Sequence, residues 1–153
     1  LPGRASEIAR YLGEVYGAAP RQLAVFGQEG WTAPVASGSA TSRAMVVCPC
    51  SMGTVASLAQ GASRTLIERA GDVMLKERRP LIVVPRETPF STIHLENLLR
   101  LAQAGALILP ANPGVYHRPS KAEDLVDYIV ARILDHLGIE HALGPRWGVD
   151  EPG

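Results

Sequence analysis

The stretch Cys48-Pro49-Cys50-Ser51-Met52-Gly53-Thr54 follows the apolar run Met45-Val46-Val47 and opens an alanine-rich helical segment. A strand that passes through a short loop into a helix presents unpaired backbone N–H groups, and these attract phosphate-bearing ligands. Ser51 and Thr54 add hydroxyls, and Gly53 lets a ligand come close to the backbone. A plain helix N-cap accounts for Ser51 equally well. A second candidate, Pro85-Arg86-Glu87-Thr88-Pro89, also follows an apolar run and precedes a helical pattern. A guanidinium there can grip a phosphate bidentately, and the adjacent carboxylate can move a proton. Taken alone, Arg86 and Glu87 read more simply as a surface ion pair.

Other residues have the same double reading. Lys76, Arg78 and Arg79 close a helical pattern, where cations complement the helix dipole. Tyr116, His117 and Arg118 follow Pro110-Ala111-Asn112-Pro113-Gly114; the tyrosine can donate to a phosphate, stack on a ring or cover core surface. Arg132 lies between apolar helical turns and suits a solvated face. Trp147, in a short tail, suits packing against a ligand or partner. Cys48 and Cys50, the two cysteines, lack the companions a zinc site needs and are expected as buried, reduced thiols. The histidines 94, 117, 136 and 141 are dispersed and suggest neither a metal site nor a triad.

These residues must be positioned by elements that the hydrophobic pattern reveals. Strands are expected at Met45–Cys48, Leu81–Pro85 and Ala106–Leu109. The continuous β-branched run Ile82-Val83-Val84 suits a parallel strand covered on both faces. Helices are expected at an N-terminal segment with Ile8, Tyr11, Leu12 and Val15 on one face, from Thr54 to Gln60, over Arg64–Glu77 with Leu66, Ile67, Ala70, Val73 and Met74 inward, and over Ile93–Ala104 with Leu95, Leu98, Leu99 and Ala102 inward. A last helix carries Leu125, Val126, Ile129, Val130, Ile133, Leu134 and Leu137 until Gly138, with Ser120 and Glu123 as its capping box. Gly27 to Ser42 reads as loop, with at most a short strand near Leu23–Phe26. The alternation predicts an α/β fold with a parallel sheet and helices on both faces, and ligands at the carboxyl ends of its strands.

Composition narrows the function. The 153 residues suit one domain, and 15 basic residues balance 15 acidic ones, so no general attraction to nucleic acid or an anionic membrane is implied. No apolar run approaches the roughly 20 residues of a bilayer span. A soluble, cytoplasmic protein is expected.

Several motifs in order carry a family resemblance: Cys50-Ser51-Met52-Gly53-Thr54, Leu66-Ile67-Glu68-Arg69-Ala70, Leu75 to Leu81, Val84 to Pro89, Ser91 to Asn97, Leu109-Pro110-Ala111, Tyr116 to Pro119 and the last helix. Together they resemble the UbiX family of flavin prenyltransferases, also known by the older name of aromatic acid decarboxylases. The Pro-Ala-Ser-Ala-Asn-Thr type motif of the related peptidyl-cysteine decarboxylases is absent.

The resemblance implies a Rossmann-like, flavodoxin-like fold of three layers that binds FMN. It implies transfer of a dimethylallyl group from dimethylallyl phosphate to N5 and C6 of reduced FMN, without a metal. The product, prenylated FMN, would serve a UbiD-type decarboxylase. The family forms homo-oligomers, typically dodecamers, with active sites between subunits. Ser51, Met52, Gly53, Thr54 and Arg86 match its FMN contacts; Tyr116 and Arg132 match its dimethylallyl phosphate contacts. Lys76 and Arg69 match further phosphate-pocket positions, Glu87 the proton donor and acceptor, and Trp147 an aromatic facing the prenyl group. Arg, Lys and Tyr donors around a poor leaving group suit metal-free chemistry, and a π face suits an allylic cation.

The family's first strand with its glycine-rich loop, and its second strand, have no counterpart ahead of Leu1. We expect those residues to have been removed or left out of this chain, since losing both strands would bare an inner sheet edge. An FMN-binding or flavin-carrying module without transferase activity, and a structural oligomer-forming subunit, are the competing expectations.

Overall fold

The computed structural model describes residues 4–40, 42–115 and 119–144. In chain order these form α1 (Ala5–Tyr16), β1 (Met45–Cys50), α2 (Met52–Gln60), α3 (Leu66–Lys76), β2 (Leu81–Pro85), α4 (Thr92–Gln103), β3 (Leu107–Ile108) and α5 (Ala122–Leu137), with a 3₁₀ turn at Pro34–Ala36. The strands make a parallel sheet in the order β1-β2-β3. No strand forms near Leu23–Phe26.

The sheet has two faces because strand side chains alternate. Leu81 and Val83 of β2 join Val47, Val55, Leu58, Met74, Leu98 and Leu101, which puts α2, α3 and α4 on one face. Ile82 and Val84 point the other way, onto Ile129 and Ile133 of α5. All five residues of β2 are buried, as its unbroken apolar run predicts for a central parallel strand. The outcome is three layers: helices, sheet, helix.

One irregularity sets the phase of β1. Val47 pairs with Val83 but Cys50 pairs with Pro85, so three steps on β1 match two on β2. The extra residue is a bulge. It places Cys50 on the same face as Val47, which simple alternation would forbid, and so starts α2 from the side on which α2 packs.

Local chemistry fixes the helix ends. Thr65 Oγ1 accepts from Glu68 N at 3.3 Å, and Glu68 Oε2 accepts from Thr65 N at 3.2 Å and Arg64 N at 2.7 Å, a reciprocal capping box. Burial alone would raise the Glu68 pKa, but these hydrogen bonds and the Ser57 side chain hold it below the usual carboxylate value. Gly138 ends α5 in the left-handed region at φ 67°.

Three expectations require correction. α5 begins one residue later than the Ser120–Glu123 pattern predicts: its N-cap is Lys121, and the carboxylate that closes the turn is Asp124. Asp124 Oδ2 accepts from Ser120 N at 2.8 Å, Ser120 Oγ at 3.0 Å and Lys121 N at 3.3 Å. α4 turns Asn97, Leu98 and Leu101 inward, leaving Leu95, Leu99 and Ala102 exposed. Ile67 of α3 and Val126 of α5 are exposed as well.

Candidate functional site

The strand ladder brings the two strongest sequence candidates together. Cys50 and Pro85 are register partners at the carboxyl ends of β1 and β2, so Ser51 and Arg86 leave the sheet side by side. Arg86 N–H donates to Cys50 O at 3.4 Å, which extends the ladder one residue beyond the strands. Ala111 N–H likewise donates to Pro85 O at 3.3 Å, so the loop after β3 borders the same edge.

Ser51 is the N-cap of α2: its Oγ accepts from Thr54 N at 3.2 Å and lies 3.1 Å from Thr54 Oγ1. The cap reading is therefore correct, and it is compatible with a ligand. Capping occupies Thr54 N–H, while the N–H groups of Met52 and Gly53, in the first turn, have no intrahelical acceptor. Space above Gly53 is open; a Cβ built there would meet only Ser51 Oγ, at 3.8 Å. Met52 is buried, and its side chain anchors the turn in the core.

Arg86 and Glu87 are both exposed and do not form the ion pair expected of a surface couple. Among the described residues the Arg86 guanidinium has no hydrogen-bond or ion-pair partner, and Glu87 Oε1 accepts from Thr88 N at 3.2 Å. A free guanidinium beside a helix N-terminus with two unpaired N–H groups is a donor set for a phosphate monoester. The residues present thus fit FMN, with Ser51 to Thr54 and Arg86 as the groups that would hold it.

The remaining candidates stand elsewhere. Arg69 is half-buried, donating from Nε to Ala36 O at 3.0 Å and pairing through Nη1 with Asp72 at 2.9 Å. Lys76 pairs with Glu77, whose carboxyl is held below its usual pKa by the Lys76 hydrogen bond and charge. Lys76 ends α3 just before Leu81, the partner of Met45 at the start of β1. It therefore lies toward the amino ends of the strands, while Arg86 lies beyond the carboxyl end of β2, a strand of roughly 16 Å. Arg132 stands on α5, across the sheet from α2, and pairs with Asp135 at 2.8 Å. Tyr116, His117, Arg118 and Trp147 lie outside the described residues.

Cys50 is buried as expected, but Cys48 is exposed; neither is in a disulfide. No group of His, Cys, Asp and Glu among the described residues could hold a metal. One arrangement escaped sequence reasoning: His141 Nε2 lies 3.1 Å from Asp135 Oδ1, behind Arg132. The i, i+3 spacing of Arg132 and Asp135 was a readable signal, whereas the return of His141 depends on the turn at Gly138.

Comparison with known proteins identifies the family and the fold. The Flavoprotein family model matches residues 10–134. Flavin prenyltransferase UbiX of Pseudomonas aeruginosa is 59% identical over 148 residues, covering 97% of this chain and 71% of that protein. The chain belongs to the UbiX flavin prenyltransferase family. Among solved structures, a UbiX protein in complex with FMN and dimethylallyl pyrophosphate superposes with a TM-score of 0.81 at 44% identity, covering 84% of this chain and 68% of that one. A dodecameric, FMN-dependent UbiX-like decarboxylase from Escherichia coli gives 0.78 at 44% identity, covering 80% of this chain and 66% of that one. The UbiX fold is therefore the fold of the described residues.

Proposed function

We propose that this chain is a flavin prenyltransferase, joining a dimethylallyl group from dimethylallyl phosphate to N5 and C6 of reduced FMN. The observation that carries this reading is the pairing of Cys50 with Pro85, which sets the α2 N-terminus beside Arg86, unpaired among the described residues, in a chain so similar to UbiX proteins. Reduced FMN, when bound, supplies the nucleophilic positions. The N–H groups of Met52 and Gly53, the hydroxyls of Ser51 and Thr54, and the Arg86 guanidinium hold and orient it. Glu87, exposed at the same strand end, gives a proton to the leaving phosphate or takes one from the ring carbon.

Arg69, Lys76 and Arg132 do not gather around Arg86 within one chain. Their phosphate-binding role is met if neighbouring copies in a homo-oligomer contribute them. An exposed apolar stripe on α4, Leu95 and Leu99 with Ile93 beside it, supports such assembly. A dodecamer agrees with the E. coli relative. Prenylated FMN then passes to a UbiD-type decarboxylase.

The test is incubation with reduced FMN and dimethylallyl phosphate, followed by mass analysis of the flavin. Glu87→Gln should keep FMN affinity and lose turnover by about 100-fold or more; Arg86→Ala should instead weaken FMN binding by about tenfold or more. Full turnover by Glu87→Gln removes that carboxylate from the reaction. A bound flavin that never gains mass favours a carrier module.

A further inference from the structure

The end of α5 holds a hydrogen-bonded chain that none of the roles above uses. Gly138 turns the backbone back on itself, with its N–H on Asp135 O at 3.1 Å and Ile139 N–H on Leu134 O at 3.0 Å. This return lays His141 over the last turn of α5, with only 8% of its side chain exposed. Leu143 N–H donates to His141 Nδ1 at 3.2 Å. An Nδ1 that accepts leaves the proton of the neutral ring on Nε2, and Nε2 faces Asp135 Oδ1 at 3.1 Å. The other carboxylate oxygen, Oδ2, accepts from Arg132 Nη1 at 2.8 Å.

The order is therefore backbone N–H, imidazole, carboxylate, guanidinium. An isolated Arg–Asp pair three residues apart on an exposed helix face orders its partners weakly. This one differs because the carboxylate is gripped from behind by a buried ring whose tautomer is fixed by the main chain. Asp135 engages one Nη of Arg132, and among the described residues no other group takes its remaining N–H donors, which suit an anion. A long arginine side chain otherwise loses considerable rotamer freedom on binding, so holding it beforehand lowers the cost of binding.

We infer that Asp135 and His141 are positioning residues for Arg132, holding its guanidinium ready for the phosphate of the prenyl donor. This rests on the proposed function, in which Arg132 contacts that phosphate. The role acts on donor binding and leaves the flavin site untouched, because α5 and α2 lie on opposite faces of the sheet.

The experiment measures steady-state prenylation by the full-length protein and its variants, with FMN affinity and thermal melting as controls. Asp135→Asn and His141→Phe should each raise KM for dimethylallyl phosphate about five- to twentyfold, with kcat within about twofold and FMN affinity unchanged. His141→Gln, whose amide nitrogen can reach the place of Nε2, should restore most of the wild-type KM. In an Arg132→Ala background the Asp135→Asn change should add nothing further. An unchanged KM in Asp135→Asn and His141→Phe, or an equal further loss in the Arg132→Ala background, overturns the inference while the prenyltransferase reading stands. Absence of turnover by the unaltered protein overturns that reading, and this inference with it.

Discussion

Cys48 and Cys50 are two residues apart, yet the bulge in β1 gives them opposite surroundings. Cys48 is exposed; Cys50 is buried, and burial pushes its thiol pKa from 9.0 to about 11. Since the thiolate is the reactive form, iodoacetamide at pH 8 should alkylate Cys48 and spare Cys50 until the protein is denatured. Peptide mass mapping reads this directly, and equal labelling of both in the folded protein would contradict the burial. The shift also has a sign in stability. The unfolded thiol ionises near its ordinary value while the folded one stays protonated, so Cys50 adds no pH dependence below that value and lowers stability as pH rises above it. Arg86 makes a complementary point: a cation without a partner among the described residues, beside a carboxylate that accepts from the neighbouring Thr88 N–H, is available to a ligand as a paired one is not.

Among the elements, α5 shows how a one-residue frame decides energetics. Three hydrogen bonds, the first from the Ser120 backbone, hold the Asp124 carboxyl below its ordinary pKa. A lowered folded pKa means stabilisation above the unfolded carboxyl pKa, lost as pH falls through the folded one. Asp124→Asn should therefore lower the melting temperature by a few degrees at pH 7, and the gap from wild type should close toward pH 2 in calorimetry. Glu123→Gln should cost little at either pH. The sequence pattern placed this helix but misassigned its cap, because Glu123 and Asp124 are both carboxylates in the right region and only the backbone turn selects between them. β2 was legible in full, since a five-residue apolar run between charged turns has one economical placement. The α4 face was not. Leu95, Leu98, Leu99 and Ala102 form a consistent helical stripe, yet the chain's own core takes only Leu98 from it, together with Leu101. Periodicity reports apolar positions without telling which surface covers them. The candidate site was legible as far as strand ends reach, in Ser51 to Thr54 and Arg86-Glu87; Asp135 and His141 were hidden because a turn, rather than a motif, unites them.

At the scale of the whole molecule, Ile93, Leu95 and Leu99 are 68%, 53% and 60% exposed on one helix, a concentration of apolar surface that suits a second copy. If α4 lies in a subunit contact, Leu95→Glu with Leu99→Glu should shift sedimentation to smaller species while leaving the circular dichroism spectrum unchanged. Sedimentation like wild type would place the contact elsewhere. No helix among the described residues is long and apolar enough to cross a membrane. The three-layer plan also depends on counting. The single unmatched residue between Val47 and Cys50 reverses the parity of β1 just before it ends. Without it, the same amino acids would send Cys50 and the first turn of α2 toward α5, and the hydroxyls and N–H groups would open on the wrong side of the sheet. The number of residues between those two positions is thus a specification in its own right, and an alignment gap there would change the chemistry as surely as the loss of a charged side chain.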